Sequence, residues 1–179
     1  MRSTTDEGFL LKVHELLNST WEGVFRLNRR LRDKIDGNRF QIGDVEPIFN
    51  GYIHLKGEWR IMRYPYPGFE ISPNMEVGAT LQGYYFVIAV PVEKLNESLI
   101  ESFLSLSGEH FIYGAVDFLR DFYGPSSNDE PREVLRKIKT SEESTIQMES
   151  DYETPAKLED DLLRFIEICE EFGVFELER

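Results

Sequence analysis

Apolar positions along this chain follow three successive patterns: helical spacing to residue 36, strand-like runs over 40–92, and helical spacing again beyond. Phe9, Leu10, Val13, Leu16 and Leu17 share one face of a helix over 5–18, opened by the capping-box pair Thr4 and Glu7. Ser19 and Glu22 repeat that capping spacing. Trp21, Val24, Phe25, Leu31 and Ile35 then form a looser stripe, so a second helix is predicted over 19–36, with Gly37 just past its end. Its weak point is Gly23-Val24-Phe25, which could run extended.

From 40 to 92, Gly and Pro recur every several residues, and between them lie apolar segments at 52–55, 58–64, 69–71, 75–81 and 84–90. Lys56-Gly57 and Gln82-Gly83 have the composition of tight hairpin turns, which points to an antiparallel meander. Val77, Ala79 and Leu81 alternate with polar or small residues, as in a strand buried on one face. The segment 84–90 (YYFVIAV) shows no such alternation and is predicted to be central, covered on both faces or flanked by helices.

After Pro91 a helical stripe runs through Val92, Leu95, Leu99, Phe103 and Leu104. A further stripe over 111–123 suits a helix, although 110–113 could equally be a strand. Residues 124–129 form a loop, and Pro131 opens a short helix carrying Val134, Leu135 and Ile138. The polar stretch 140–150 is either a short edge strand around 146–148 or disordered. Thr154 and Pro155 then mark the start of a helix with Leu158, Leu162, Phe165, Ile166, Cys169 and Phe172 on one face, closed by Gly173. Residues 174–177 are a terminal strand or a frayed tail. The fold class is therefore α+β: a two-layer domain over 1–179 with an antiparallel sheet of about five strands in 40–92, packed by helices from both termini. The acidic C-terminal part from about 126 reads as helical.

Charge sharpens this picture. Residues 1–90 balance 11 bases with 11 acids, whereas 91–179 hold 9 bases and 22 acids, the whole of the net −13. An acidic body repels phosphate backbones and anionic lipids, so nucleic acid is an unlikely partner and a membrane surface is not expected. The longest apolar run, 84–92, is nine residues, against the roughly twenty a spanning helix needs. With no signal-peptide pattern and a single cysteine, Cys169, the sequence reads as a cytoplasmic protein from a reducing compartment. The Glu-rich, Cys-poor composition suits a thermophile.

Candidate chemistry is sparse. His14, His54 and His110 are far apart and form no metal-ligand pair, Cys169 sits on an apolar helix face, and no nucleophile elbow, Walker loop or dinucleotide loop occurs. No catalytic residue, metal or cofactor is implied. The charge-balanced N-terminal half does carry one basic cluster, with Arg26, Arg29 and Arg30 on roughly one face of the second helix and Arg32 and Lys34 beside them. Three readings compete: a solvated basic face, docking on the acidic C-terminal helix of the same chain or of a partner copy, and binding of RNA, a nucleotide or another anion. Trp59, Tyr64 and Tyr66 surround Pro65 and Pro67, an arrangement that forms a peptide- or base-stacking groove or simply covers a sheet edge. These six residues (Arg26, Arg29, Arg30, Trp59, Tyr64, Tyr66) are the binding candidates.

The stretches TWEGVFRLNRRLRDKIDG, GYYFVIAVPVEKL and LEDDLLRFIEICEEFGVF resemble an uncharacterised family of small archaeal proteins of the Thermococcales, classed as a domain of unknown function. That resemblance implies an archaeal cytosolic origin and brings no activity or site residues. The order of elements also resembles the sheet-and-helix fold of secretion chaperones. The favoured function is a non-catalytic binding or adaptor protein whose partner is a second copy of the chain, as a homodimer, or another protein. The alternatives are an enzyme on a small anionic substrate, with Arg29 or Arg30 holding the anion and His54 or His110 moving protons, and an RNA-associated protein using the helix 26–34.

Overall fold

In the computed structural model the described residues are 4–49, 52–55, 58–61, 65–80, 83–116 and 120–175; for 4–14, 16, 49, 52–55, 58–61 and 65 the backbone alone is described. The two predicted N-terminal helices are one, α1 (Thr4–Lys34), 31 residues long. The Ser19–Glu22 pair does not start a helix, because a capping box is a start signal only where the preceding backbone has left the helical region. Val24, Leu27, Leu31 and Ile35 recur every three or four residues and are buried, and α1 packs on the sheet through them.

The strands are β1 (Gln41–Ile42), β2 (Glu46–Phe49), β3 (Tyr52–Leu55), β4 (Glu58–Ile61), β5 (Pro65–Ser72), β6 (Met75–Ala79), β7 (Tyr84–Pro91), β8 (Glu109–Gly114), β9 (Asp121–Tyr123) and β10 (Thr145–Tyr152). Eight of them form one antiparallel sheet in the order β1–β5–β6–β7–β10–β8–β9, with β2 also paired to β5; β3 and β4 make a separate hairpin. The β5–β6–β7 meander is present, and Asn74, at φ 68°, makes the turn between β5 and β6. The predicted turn at Lys56-Gly57 and the residue Gln82 lie outside the described residues.

The sheet is larger than the predicted five strands because three of them come from beyond residue 92. Within the stripe over 111–123, the residues of β8 and β9 are strand, not helix. His110, Ile112 and Gly114 are buried while Phe111 and Tyr113 are half-buried, a period of two that the short apolar run also allowed. The polar stretch around 145–152 is neither edge nor disordered; β10 lies between β7 and β8, so the acidic C-terminal part supplies a central strand. Strand β5 is internal as well. However, Pro65 and Pro67 precede Gly68, the first residue of β5 paired with β6, so each missing N–H falls where β5 has only β2 beside it.

The remaining helices are α2 (Glu97–Leu104), α3 (Pro131–Lys139) and α4 (Pro155–Glu171). Helix α2 starts later than the apolar stripe suggests, because the Asn96 side chain accepts from Leu99 N and caps it there; a single 3-10 turn, Val92–Lys94, fills the gap. Thr154 and Pro155 do begin α4, although the Thr154 side chain makes no capping bond, and Gly173, at φ 65°, follows its end.

Helix α1 lies on β5 and β6, α4 on β7 and β10, α3 on β9, and α2 against α3 and α4. Together they bury one face of the sheet: Phe69, Ile71, Val77, Phe86, Ile88, Ile112, Ile146 and Met148 are at most 1% exposed. The alternate residues, including Tyr66, Glu76, Tyr85, Val87, Phe111, Tyr113, Glu149 and Asp151, point to the other face. Strand β7 is therefore central, as predicted, but helices cover only one of its sides.

Candidate functional site

Most of the basic cluster on α1 is occupied within the chain. Arg30 Nη1 lies 3.2 Å and Lys34 Nζ 2.6 Å from the two carboxylate oxygens of Glu159 in α4, and Arg39 reaches Glu170 in the same helix at 2.7 Å. Arg26 pairs with Glu22 one turn earlier at 2.9 Å. Arg32 donates to Asn28 Oδ1, Gly43 O and Asp44 Oδ1. Arg29 is exposed and makes no ion pair among the described residues. Of the three readings, docking on the acidic C-terminal helix of the same chain describes Arg30 and Lys34. A cleft of about 340 Å³ remains between α1, Tyr84 and the start of α4, lined in part by Arg26 and Arg30, but Glu22 and Glu159 line it too and balance the two cations.

Of the aromatic candidates, Tyr66 lies on β5 opposite Ile48, half-buried on the helix-free face. Tyr64 and the side chain of Trp59 are outside the described residues, as are the side chains of His14 and His54. His110 is buried, with Nε2 3.1 Å from Leu106 O and Nδ1 3.0 Å from Ser150 Oγ. Burial lowers its pKa, so the ring is neutral near pH 7; these partners fit Nε2–H donating to the carbonyl and Nδ1 accepting from the Ser150 hydroxyl. Both nitrogens are thereby committed. The acid nearest in charge, Asp161, instead accepts from the N–H and hydroxyl of Ser107. Burial also pushes the Cys169 thiol far above its ordinary range, which makes it an inert core residue. No group of three or more His, Cys, Asp or Glu among the described residues is placed to hold a metal ion. No helix among them is long and apolar enough to cross a membrane.

The arrangement that the sequence did not disclose lies on the helix-free face. There Glu76 is in register with Val87, Val87 with Glu149, and Glu149 with Phe111; one step along, Tyr85 faces Asp151, and Asp151 faces Glu109. Tyr85 donates to Glu76 and Tyr113 to Glu149, each at 2.6 Å. Residue 78 must be small for this: a Cβ there would stand 2.7 Å from Tyr85 Oη, because the Tyr85 ring lies across it. Burial, and then the charge of Glu76, raises the pKa of Glu149 against the pull of its Tyr113 bond. Burial, then Glu149 and Glu109, pushes Asp151 up to about 7. Burial and Glu149 push the Tyr113 phenol well above its ordinary range. No described strand residue on this face is Lys or Arg. Carboxylates crowded together without a counter-cation attract one.

The sign of the linkage gives a test. An acid whose folded pKa is raised stabilises the fold only while protonated, so Asp151's contribution is present below about pH 4 and is lost as pH rises through 7. Replacing it with Asn should therefore stabilise the protein at pH 8 by about 1.5 kcal/mol, a fraction of the roughly 4 kcal/mol that full burial would give, because water reaches this half-buried group. The difference between D151N and the parent in urea denaturation should vanish by pH 4; an equal difference at both pH values would refute it.

At the end of strands β7, β10 and β8 this face runs into a cleft of about 390 Å³ walled by Tyr84, Tyr85, Gly108, Glu109, Asp151 and Tyr152, with Glu153 and Lys157 also in its lining. No curated protein matches the chain. A conserved hypothetical protein from Pyrococcus furiosus has a solved structure similar to this one, with a TM-score of 0.80 and 38% identity over 92% of this chain and 99% of that one. Residues 15–164 match the family described as Protein of unknown function (DUF3201), and with a Thermococcales relative sharing both sequence and fold, the chain belongs to that family.

Proposed function

We propose that this chain is a non-catalytic binding protein, an adaptor whose helix-free sheet face docks a basic segment of another protein. The observation that carries this reading is the composition of that face: Glu46, Glu70, Glu76, Glu109, Glu149 and Asp151 among buried and half-buried tyrosines, without a Lys or Arg among the described strand residues. The crowded acids do nothing for the core on the other side of the sheet, and the raised pKa values of Glu149 and Asp151 make those two, when ionised, a cost to folding. Groups that cost stability without serving the fold mark functional surface. A cationic partner removes that cost by pairing with the carboxylates, and its side-chain stems and ammonium groups pack on the half-buried rings of Tyr66 and Tyr113. A second copy is a poor occupant, because face-to-face contact would set like charges against each other.

An oligolysine decamer is a suitable probe, measured by calorimetry at low salt. E76Q/E149Q should weaken binding about tenfold, since two exposed charge pairs contribute on the order of 0.7 kcal/mol each. Both glutamines can still accept from Tyr85 and Tyr113. The charge-matched control D160N/E167Q, on the exposed side of α4, should change binding less than twofold. Equal losses in the two variants would reduce the effect to net charge and sink the docking surface.

A further inference from the structure

Helix α1 is longer than the core that it covers. Among its described side chains Thr20 is the first buried one; ahead of it Glu15, Asn18 and Ser19 are exposed and Leu17 is half-buried. The helix passes the end of the sheet at Gly23, where a Cβ would collide with the ring of Tyr84, the first residue of β7. Residues 4–19 add about 24 Å of helix beyond that point, at 1.5 Å per residue. A helix of that length is marginal in water unless its apolar face is packed. At helical spacing Phe9, Val13 and Leu16 continue the row that Val24, Leu27 and Leu31 bury on the sheet. Leu10 and Leu17 continue a neighbouring row, which runs on through Trp21 and Phe25. In that second row Trp21 is half-buried, Phe25 is 53% exposed, and the two rings lie 5.9 Å apart. With Leu11 beside it, the apolar arc takes up more than half of the helix circumference, which is more than one packing surface uses.

Charge selects the occupant of the second row. Residues 4–18 carry three acids and one base, whereas 19–34 carry five bases and two acids. Two copies of α1 laid antiparallel therefore set each acidic half beside a basic one. We propose that α1 is a self-association helix, through which two copies of the chain pair antiparallel along the row Leu10, Leu17, Trp21 and Phe25, about a two-fold axis beside Leu17 and Asn18. That register places Leu10 opposite Phe25, His14 opposite Trp21 and Asp6 opposite Arg29, each pair occurring twice. Arg29, exposed and without an ion-pair partner among the described residues, gains one across the axis. The net charge of −13 opposes any association of two copies, so the contact is weak, with an expected Kd of about 10–100 μM, and the dilute chain is a monomer. Helix α1 lies on the helix side of β5 and β6, so the pairing leaves the acidic sheet face open on both copies and does not depend on what that face docks.

The test is sedimentation velocity of the full chain at low salt, over about 1–300 μM. A shift from monomer to dimer is expected across that range. L17E, which sets two carboxylates together at the axis, should leave a monomer throughout. R29D and D6R should each weaken the dimer about fivefold, since each turns two exposed attractive pairs into repulsive ones. Combining them restores opposite charges, so D6R/R29D should return to within about twofold of the parent, a rescue that damage to the fold cannot imitate. E76Q/E149Q, on the other side of the sheet, should leave the dimer within about twofold, which separates this contact from the docking face. A monomer at every concentration, a dimer that L17E leaves intact, or a double swap no better than the single ones would overturn the proposal.

Discussion

Truncating Phe165 to alanine is expected to lower the unfolding free energy by about 4 kcal/mol and the melting temperature by about 10 °C. Phe165 is fully buried on α4, with the ring of Phe86 from β7 at 5.6 Å and that of Phe103 from α2 at 5.3 Å. It therefore joins the C-terminal helix to the sheet and to a second helix at one point. The vacated volume cannot close easily. Phe86 also stacks on Tyr152 and Phe103 also meets His110, so either ring gives up a second contact if it moves into the gap. Phe25 is the natural control: on α1 it is 53% exposed, and its truncation should change stability by less than about 0.5 kcal/mol. Urea denaturation of the two variants decides the matter. A loss below 1.5 kcal/mol for F165A would mean that α4 is not anchored through this cluster.

The same residue shows what was legible from the sequence. Phe165 belongs to a stripe that repeats every three or four positions between a Pro start and a Gly stop, so both its burial and its helix could be read directly. Strand β10 was not, for a physical reason. Ile146, Met148, Ser150 and Tyr152 alternate perfectly with Thr145, Gln147, Glu149 and Asp151, but a strand with acids on one side looks like a surface segment unless its sheet is known to be bare on that side. Strand β8 was ambiguous because its short apolar run, Phe111 to Tyr113, fits either period. The candidate site suffered more. Glu76 and Glu149 lie 73 positions apart in sequence and share only the cross-strand neighbour Val87. No spacing rule brings them together; only the register of three strands does.

The two sides of the sheet hold the chain's acids differently. On the helix side Glu159 and Glu170 of α4 meet Arg30, Lys34 and Arg39, so these charges are matched inside the chain. On the bare side no described strand residue is Lys or Arg. On the proposed reading, the carboxylates of that face favour a cationic partner over a second copy.

The pairing on the helix side yields the second large effect. Replacing Arg30 and Lys34 together by alanine should cost about 2 kcal/mol at pH 7. Glu159 is only 4% exposed, and burial alone would raise its pKa, but hydrogen bonds from Lys34 and Arg30 hold it below the ordinary carboxylate range. Removing one side of a deep ion pair costs more, about 3–5 kcal/mol. Here the cover over Glu159 is largely the two half-exposed cationic chains themselves, so their truncation readmits water and limits the loss. A carboxylate with a lowered folded pKa stabilises only above its unfolded value, near 4.3, and that contribution disappears as pH falls through the folded one. The double variant and the parent should therefore differ at pH 7 and converge toward pH 3. R29A, which removes an arginine without an ion-pair partner among the described residues, should cost less than about 0.5 kcal/mol at either pH. If R29A proves as damaging as the double variant, or if the double variant loses nothing, the arginines of α1 are not committed to Glu159. Their cluster would then be available to an anion, as the third reading of the basic helix requires.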